Sequence, residues 1–156
     1  MSPLTRFHEA QADPHAGYEM ALAEIRRGRK TSHWIWYIFP QLAGLGRSTM
    51  AENYAIRDLA EACDYLRDPL LRARYEEITA AVSNQLARRL ALEDLMGSRI
   101  DALKLVSSLT LFRAAAERLA SSDPAFDGAF TALVNAVLTQ AVAQGYAPCV
   151  RTLSLL

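Results

Sequence analysis

Apolar residues recur every three or four positions along most of this chain. That spacing places them on one face of an α-helix, whereas a half-buried strand would alternate at every second position. The pattern therefore predicts a succession of amphipathic helices. The positions that form these apolar stripes are Tyr18, Ala21, Leu22 and Ile25, then Leu71, Tyr75, Ile78, Val82 and Leu86, then Ile100, Leu103, Leu111 and Phe112.

Three Asp-Pro pairs are typical of helix starts, because aspartate caps free backbone N–H groups and proline suits the first helical turn. They predict helices beginning at Asp13–Pro14, Asp68–Pro69 and Asp123–Pro124. Asp58 and Glu61 have the spacing of a capping box and predict a further start. Glycines predict the helix ends, at Gly28, Gly97 and Gly145.

Shorter elements complete the picture. We expect a short first helix over residues 4–11, a single turn over 93–96, a helix from Ser98 to about Leu119 and a short tail over 148–156. Ser32 is expected to cap a short helix that ends at Pro40. A strand is the alternative there, because aromatic and β-branched residues favour it, but no partner strand is evident. The sequence predicts an all-α fold, with residues 1–156 in a single compact multi-helix domain.

Composition and charge limit the classes of partner. The chain has 156 residues, of which 51% are hydrophobic and 22% charged, as in a globular protein rather than a disordered one. Its 17 basic and 17 acidic residues give no net charge. Because no strong field is available to attract polyanions, we expect neither nucleic acid nor a membrane as partner.

Cysteine, histidine and terminal residues add little chemistry. Cys63 and Cys149 lie far apart in the sequence, and His8 and His15 show no metal-ligand spacing with His33, so no metal site is predicted. The first fifteen residues contain several charges and no apolar run, and no stretch approaches the length of a membrane span. We expect a cytoplasmic protein with free thiols, and no cofactor is identified.

The segment over residues 28–48 carries the most unusual composition. It contains both tryptophans and Lys30, one of two lysines in the chain. Trp34 and Trp36 lie two residues apart, so on a helix they point about 200° away from each other. We expect one indole in the core and the other facing a groove, where it would stack on a ligand. Burial of both is the alternative.

A glycine loop follows in the same segment. Gly44 and Gly46 allow backbone N–H groups to converge on an anion, and Arg47 and Ser48 would add charge and a hydroxyl. The spacing is not that of a P-loop, and a simple turn between helices is the alternative. Gln41, just before this loop, joins the candidate ligand-binding residues.

Candidate proton-transfer groups are His33, because imidazole is the side chain best suited to general acid or base catalysis in proteins, and Lys104. Asp101, Lys104 and Ser108 share one predicted helix face, so Asp101 and Ser108 are also candidate ligand-binding residues. A local ion pair between Asp101 and Lys104 is the alternative. Nucleophilic chemistry by Ser108 with Lys104 lacks the remaining apparatus of such an enzyme.

Several segments together resemble a bacterial and fungal family catalogued as domain of unknown function number 1810. They are LTRFHEAQ (4–11), YEMALAEIRRGRK (18–30), SHWIWYIFPQLAGLGRS (32–48), YAIRDLAEACDYLRDPLL (54–71) and DALKLVSSLTLF (101–112). The resemblance implies a mainly α-helical domain and no known activity. Residues 147–151 depart from the family pattern, which implies a different ligand preference if they close a pocket. Members are sometimes labelled calpastatin, but calpastatin-like repeats are disordered and this composition is that of a packed core.

Two functional hypotheses follow. In the first, the protein binds an anionic small molecule, such as a nucleotide-derived one, or acts on it, at a site combining residues of 30–48 with Lys104. This requires that segments about seventy residues apart meet in space. In the second, the aromatic segment is a surface for binding another protein or a second copy in a homodimer.

Overall fold

The chain folds as a bundle of short and long helices. In the computed structural model, which describes residues 3–126 and 128–156, the described residues form ten α-helices and no strand. The predicted all-α fold is therefore confirmed. The helices are α1 (Thr5–Gln11), α2 (Tyr18–Arg27), α3 (Ile35–Ile38), α4 (Thr49–Asn53), α5 (Leu59–Arg67), α6 (Pro69–Ala87), α7 (Leu92–Met96), α8 (Arg99–Ala120), α9 (Ala129–Ala143) and α10 (Val150–Leu155).

The long helix α8 lies at the centre and contacts α3, α5, α7, α9 and α10, while α6 packs against α2, α5 and α9. Aromatic rings fill the space between them. The buried ring of Tyr75 contacts Phe39, Phe112 and Phe130, with centroids 4.7–5.9 Å apart. These contacts join α3, α6, α8 and α9 in one core, so the chain is a single compact domain.

No helix among the described residues is both long enough and apolar enough to cross a bilayer.

Three predicted helix starts are confirmed by their hydrogen bonds. The carboxylate of Asp58 accepts from the N–H of Glu61, and that of Asp68 accepts from the N–H groups of Leu70 and Leu71. The hydroxyl of Ser98 accepts from the N–H of Asp101. In each case the capping side chain satisfies N–H groups that have no partner inside the helix.

The helix starts predicted at Asp13–Pro14 and Asp123–Pro124 are wrong. The Asp13 carboxylate closes a turn by accepting from the N–H groups two and three residues later, and α2 begins only after Gly17. The Asp123 carboxylate accepts from the N–H of Ala125, and α9 begins after Gly128. Asp127, within the predicted last helix, lies outside the described residues.

Three further expectations are corrected. The short aromatic segment is helical, as α3, but its N-cap is Trp34 and not Ser32. The short tail contains a helix, α10. Ile100 and Leu103, which the pattern places in the core, are 66% and 45% exposed, because the buried face at the start of α8 is the one that carries Ala102 and Leu105.

Candidate functional site

The loop between α2 and α3 is held in place by a buried acid. Glu24 lies on the core side of α2 and is fully buried. One oxygen of its carboxylate, Oε1, accepts hydrogen bonds from the backbone N–H groups of Thr31 and Ser32, at 2.7 and 2.8 Å. The indole N–H of Trp34 donates to the same oxygen at 3.1 Å. Glu24 therefore fixes the loop that carries the sequence-predicted Lys30 and His33.

These hydrogen bonds also determine the protonation state of Glu24. Burial alone would raise the pKa of its carboxyl group, because desolvation disfavours the charged form. The hydrogen bonds from Ser32, Thr31 and Trp34 outweigh burial and lower the pKa from 4.5 to about 2. Glu24 is therefore a carboxylate at neutral pH, and it acts as an acceptor that orients the loop.

Lys30 connects this loop to the beginning of α8. Its backbone N–H donates to the carbonyl of Leu95 at 2.7 Å. Its ammonium lies 2.8 Å from Oδ2 of Asp101 and donates to the carbonyl of Ser32 at 2.6 Å. The side chain is 6% exposed, and Nζ lies 5.0 Å from the centroid of the Trp34 ring. The sequence-distant residues Lys30 and Asp101 thus form a buried ion pair, and Asp101 does not pair with Lys104.

The second lysine makes a parallel contact one turn further along α8. Nζ of Lys104 lies 5.3 Å from the centroid of the half-buried Trp36 ring. Each of the two lysines in this chain therefore lies over one of its two tryptophans. Because Lys30 pairs with Asp101 and Lys104 lies over Trp36, segments 30–36 and 96–104 lie next to each other in space. The first hypothesis requires residues 30–36 to lie near Lys104, and they do; the ligand site itself stays a prediction.

A polar cavity of about 230 Å³ opens between the loop and α8. Gly97 allows the two segments to approach, because a Cβ at this position would lie 2.8 Å from the carbonyl oxygen of Lys30. Its φ of +82° is also a value that side-chain-bearing residues rarely adopt. The residues that line the cavity are Lys30, Thr31, Ser32, His33, Met96, Gly97, Ser98 and Asp101.

The cavity combines hydroxyl, imidazole and ammonium groups. His33 is exposed and lines the cavity, and its backbone carbonyl accepts from the hydroxyl of Tyr37. Ser98 is the N-cap of α8, a helix of 22 residues whose amino-terminal end carries partial positive charge. The arrangement offers hydrogen-bond donors to a small polar or anionic group.

Other sequence-predicted residues lie outside this cavity. The Trp34 indole is fully buried and is engaged by Glu24 and Lys30. Ser108 is also fully buried, and its hydroxyl lies 2.9 Å from that of Tyr75. The carbonyl of Gln41 accepts from the N–H of Ile56. The indole of Trp34 and the hydroxyl of Ser108 thus already have partners within the protein. Ligand binding by these two residues and by Gln41 stays a prediction.

The glycine loop lies against α4 and α10. Ser48 caps α4 by accepting from the N–H of Ala51. The carbonyl of Gly44 accepts from Arg151 at 3.4 Å, and a Cβ at Gly46 would lie 2.5 Å from that of Ala51. Arg47 is exposed. The contacts of this loop run to α4 and α10, and none of them reaches the lining of the cavity.

Sequence reasoning missed Glu24, Thr31, Ser32 and Ser98 as parts of the site. Glu24 did give a signal, because it lies in the apolar stripe of α2 beside Ala21 and Ile25, where a charge needs buried partners. The hydroxyl residues gave none. Their place at the cavity depends on which loop meets which helix end.

The fold and the cavity define this protein as an all-helical domain with a polar recess at the amino-terminal end of its central helix. The chain belongs to the family described as Protein of unknown function (DUF1810), whose model matches residues 1–141. Among solved structures it is similar to the conserved hypothetical protein Rv1873 from Mycobacterium tuberculosis, with 38% sequence identity and a TM-score of 0.79. That match covers 98% of this chain and 95% of the other. The comparison with curated proteins gives no match.

Proposed function

We propose that the protein binds a small molecule carrying a carboxylate or phosphate group in the cavity between the 30–33 loop and α8. The observation that carries the proposal is the convergence of residues 30–33 and 96–101 on one polar cavity of about 230 Å³. The buried Lys30 and the end of α8 both favour negative charge there. This volume suits a small ligand or the anionic part of a larger, nucleotide-derived one.

The expected binding mode follows from the donors. The exposed hydroxyl of Thr31 and the N–H groups at the start of α8 bind the anionic group, and Lys30 contributes its charge. Because Lys30 is already paired with Asp101, the cavity has little net charge, so affinity depends on hydrogen bonds more than on long-range attraction. His33, in the lining of the cavity, is the group available for proton transfer if the bound molecule reacts.

Thermal unfolding in the presence of nucleotides, sugar phosphates and small carboxylates tests this function. A ligand at about 100 times its Kd adds about 2.7 kcal/mol to stability, which is a readily measured rise in Tm. We expect Thr31→Val and Lys30→Ala to abolish the rise that an active compound causes. Lys104→Ala is the matched control, because Lys104 does not line the cavity.

The outcomes separate the predicted sites. A rise that Lys104→Ala also abolishes places the ligand along Trp36, in the larger composite site predicted from sequence. A rise in Tm that persists in Thr31→Val and Lys30→Ala would show that the ligand binds outside the cavity. A panel without any rise in Tm contradicts small-molecule binding and favours the second function.

The second candidate function is self-association through the exposed face at the start of α8. Ile100 and Leu103 are large apolar residues that lie one turn apart on this face, and both are exposed. Adjacent exposed apolar side chains favour a protein partner. Light scattering should then detect a dimer that Ile100→Ser with Leu103→Ser disrupts. Val142→Ser, at an exposed apolar position on α9, should leave the mass unchanged.

A further inference from the structure

Five arginines gather where the carboxyl-terminal ends of α2 and α6 meet. The two ends are joined because the side-chain amide of Gln85 donates to the carbonyls of Ile25 and Arg26, at 3.0 and 2.9 Å. Leu90, just beyond α6, packs beside Gly28, just beyond α2. We call the resulting surface the arginine patch, and its members are Arg26, Arg27, Arg29, Arg88 and Arg89.

The arginine patch carries more positive charge than its surroundings balance. All five side chains are exposed. Arg26 lies 3.9 Å from the carboxylate of Glu77, which also accepts from the Tyr18 hydroxyl. Within the described part of the chain, the other four arginines have no ion pair. Two helix ends contribute about one negative charge between them, so an excess of about three positive charges remains on a chain that is neutral overall.

An open groove of about 460 Å³ runs through the arginine patch. Arg26 and Arg88 line the groove, together with two alanines and the side-chain amides of Asn84 and Gln85. The lining contains no aromatic side chain on which a nucleic-acid base would stack. The residues that line the groove are Arg26, Glu77, Ala80, Ala81, Asn84, Gln85 and Arg88.

The backbone at Arg89 sets this position apart. Arg89 has a φ of +67° and is the one residue other than glycine, among those described, with positive φ. It follows the C-cap of α6, a position where glycine is favoured because side chains strain the left-handed conformation. An arginine here lowers stability relative to glycine and adds a fifth charge to the patch.

We propose that the arginine patch binds an acidic segment of a partner protein, a short run of aspartate and glutamate side chains. Guanidinium groups bind carboxylates through two parallel hydrogen bonds. Glu77 pairs with Arg26, and the other four arginines have no ion pair within the described part of the chain. The ends of two packed helices span only about 10 Å, so the surface suits a short segment rather than an extended polyanion. Because the groove lining contains no aromatic side chain on which a base would stack, a peptide is favoured over RNA as the ligand.

Fluorescence anisotropy with a labelled peptide of about eight residues, rich in aspartate and glutamate, tests the proposal. We expect binding to the wild-type protein, and at least about tenfold weaker binding to the variant Arg27→Gln, Arg88→Gln, Arg89→Gln. A matched control, Arg67→Gln, Arg113→Gln, Arg118→Gln, removes the same charge elsewhere and should bind within about twofold of wild type. Raising the salt from about 50 to 200 mM should weaken wild-type binding.

Three results would overturn the proposal. The first is no binding of the acidic peptide by the wild-type protein, with a corresponding peptide of asparagine and glutamine as the baseline. The second is an equal loss in the control variant, which would indicate net charge rather than the arginine patch. The third is tighter binding of a single-stranded RNA of similar charge. Circular dichroism of both variants verifies that they remain folded.

Discussion

Glu24 links three parts of the molecule through a single carboxylate. It lies on α2, it fixes the backbone at Thr31 and Ser32, and it accepts from the indole of Trp34 on the first turn of the aromatic segment. A buried charge is unfavourable unless hydrogen bonds compensate it. Its position within the apolar stripe of α2 made it recognisable as unusual from sequence. The identity of its partners depended on how the loop folds back.

Glu24→Gln should reduce the free energy of unfolding at pH 7 by about 2–3 kcal/mol, because a neutral amide oxygen is a weaker acceptor than a carboxylate. The folded-state pKa of about 2 lies below the unfolded value of 4.5. The stabilisation is therefore complete above pH 4.5 and is lost as the pH falls towards 2. Urea unfolding of both proteins across this range should show their difference shrinking.

Glu19→Gln, on the exposed side of the same helix, is the control and should change stability by less than about 0.5 kcal/mol. A difference between wild type and Glu24→Gln that stays constant with pH would contradict the role assigned to the carboxylate.

Arg89 permits a second prediction at the scale of one residue. Arg89→Gly should raise the free energy of unfolding by about 0.5–1 kcal/mol, because relief of the left-handed backbone exceeds the added flexibility of the unfolded chain. Arg88→Gly is the comparison, since Arg88 has a φ of −83° and gains no such relief. Arg88→Gly should lower the free energy of unfolding. Denaturant unfolding that gives both variants the same sign of change would refute the argument.

Helix ends show which elements follow from local sequence. Asp68–Pro69 starts a helix, whereas Asp13–Pro14 and Asp123–Pro124 close turns. All three aspartates accept from N–H groups two or three residues later, so the local bond is the same. Whether the chain continues as a helix depends on the residues that follow, among them Gly17 and Gly128, which become the true N-caps.

The junction of the loop and α8 is the element-scale feature on which the cavity depends. The sequence indicated both segments but not how closely they pack. The close packing of Gly97 against the carbonyl of Lys30 shows this distance. Gly97→Ala should lower the free energy of unfolding by at least about 2 kcal/mol, through backbone strain and collision with the Lys30 carbonyl. Thermal or urea unfolding measures this.

Gly145→Ala separates the two causes. Gly145 has a φ of +92°, but a Cβ there would meet open space, so strain alone should lower the free energy by about 1 kcal/mol. Equal losses of unfolding free energy in Gly97→Ala and Gly145→Ala would mean that collision with the Lys30 carbonyl does not destabilise Gly97→Ala.

At the scale of the whole molecule, α8 contacts α3, α5, α7, α9 and α10, and through Phe112 it also contacts Tyr75 of α6, whose ring joins four helices in one aromatic core. Periodicity predicted the class of this fold because burial of one face is a local requirement. It misplaced Ile100 and Leu103 because apolar residues lie on more than one face at the start of α8, and the face that packs inward is that of Ala102 and Leu105.

Unfolding should accordingly be one cooperative transition. Far-ultraviolet circular dichroism and calorimetry should give the same Tm, with an enthalpy of about 110 kcal/mol at a Tm near 60 °C. Two separated transitions would show that part of the chain, such as α10, unfolds independently of the core.

Because the two tryptophans, each paired with a lysine, differ in exposure, their intrinsic fluorescence can be used to follow this region of the protein. Trp34 is shielded from solvent and hydrogen-bonded to a carboxylate, so its emission should be blue-shifted and insensitive to acrylamide. Trp36 is half-buried beneath Lys104, so a soluble quencher should reach it and red-edge excitation should select it. Since no other indole is present, emission from these two residues would follow any occupant of the neighbouring cavity without a label.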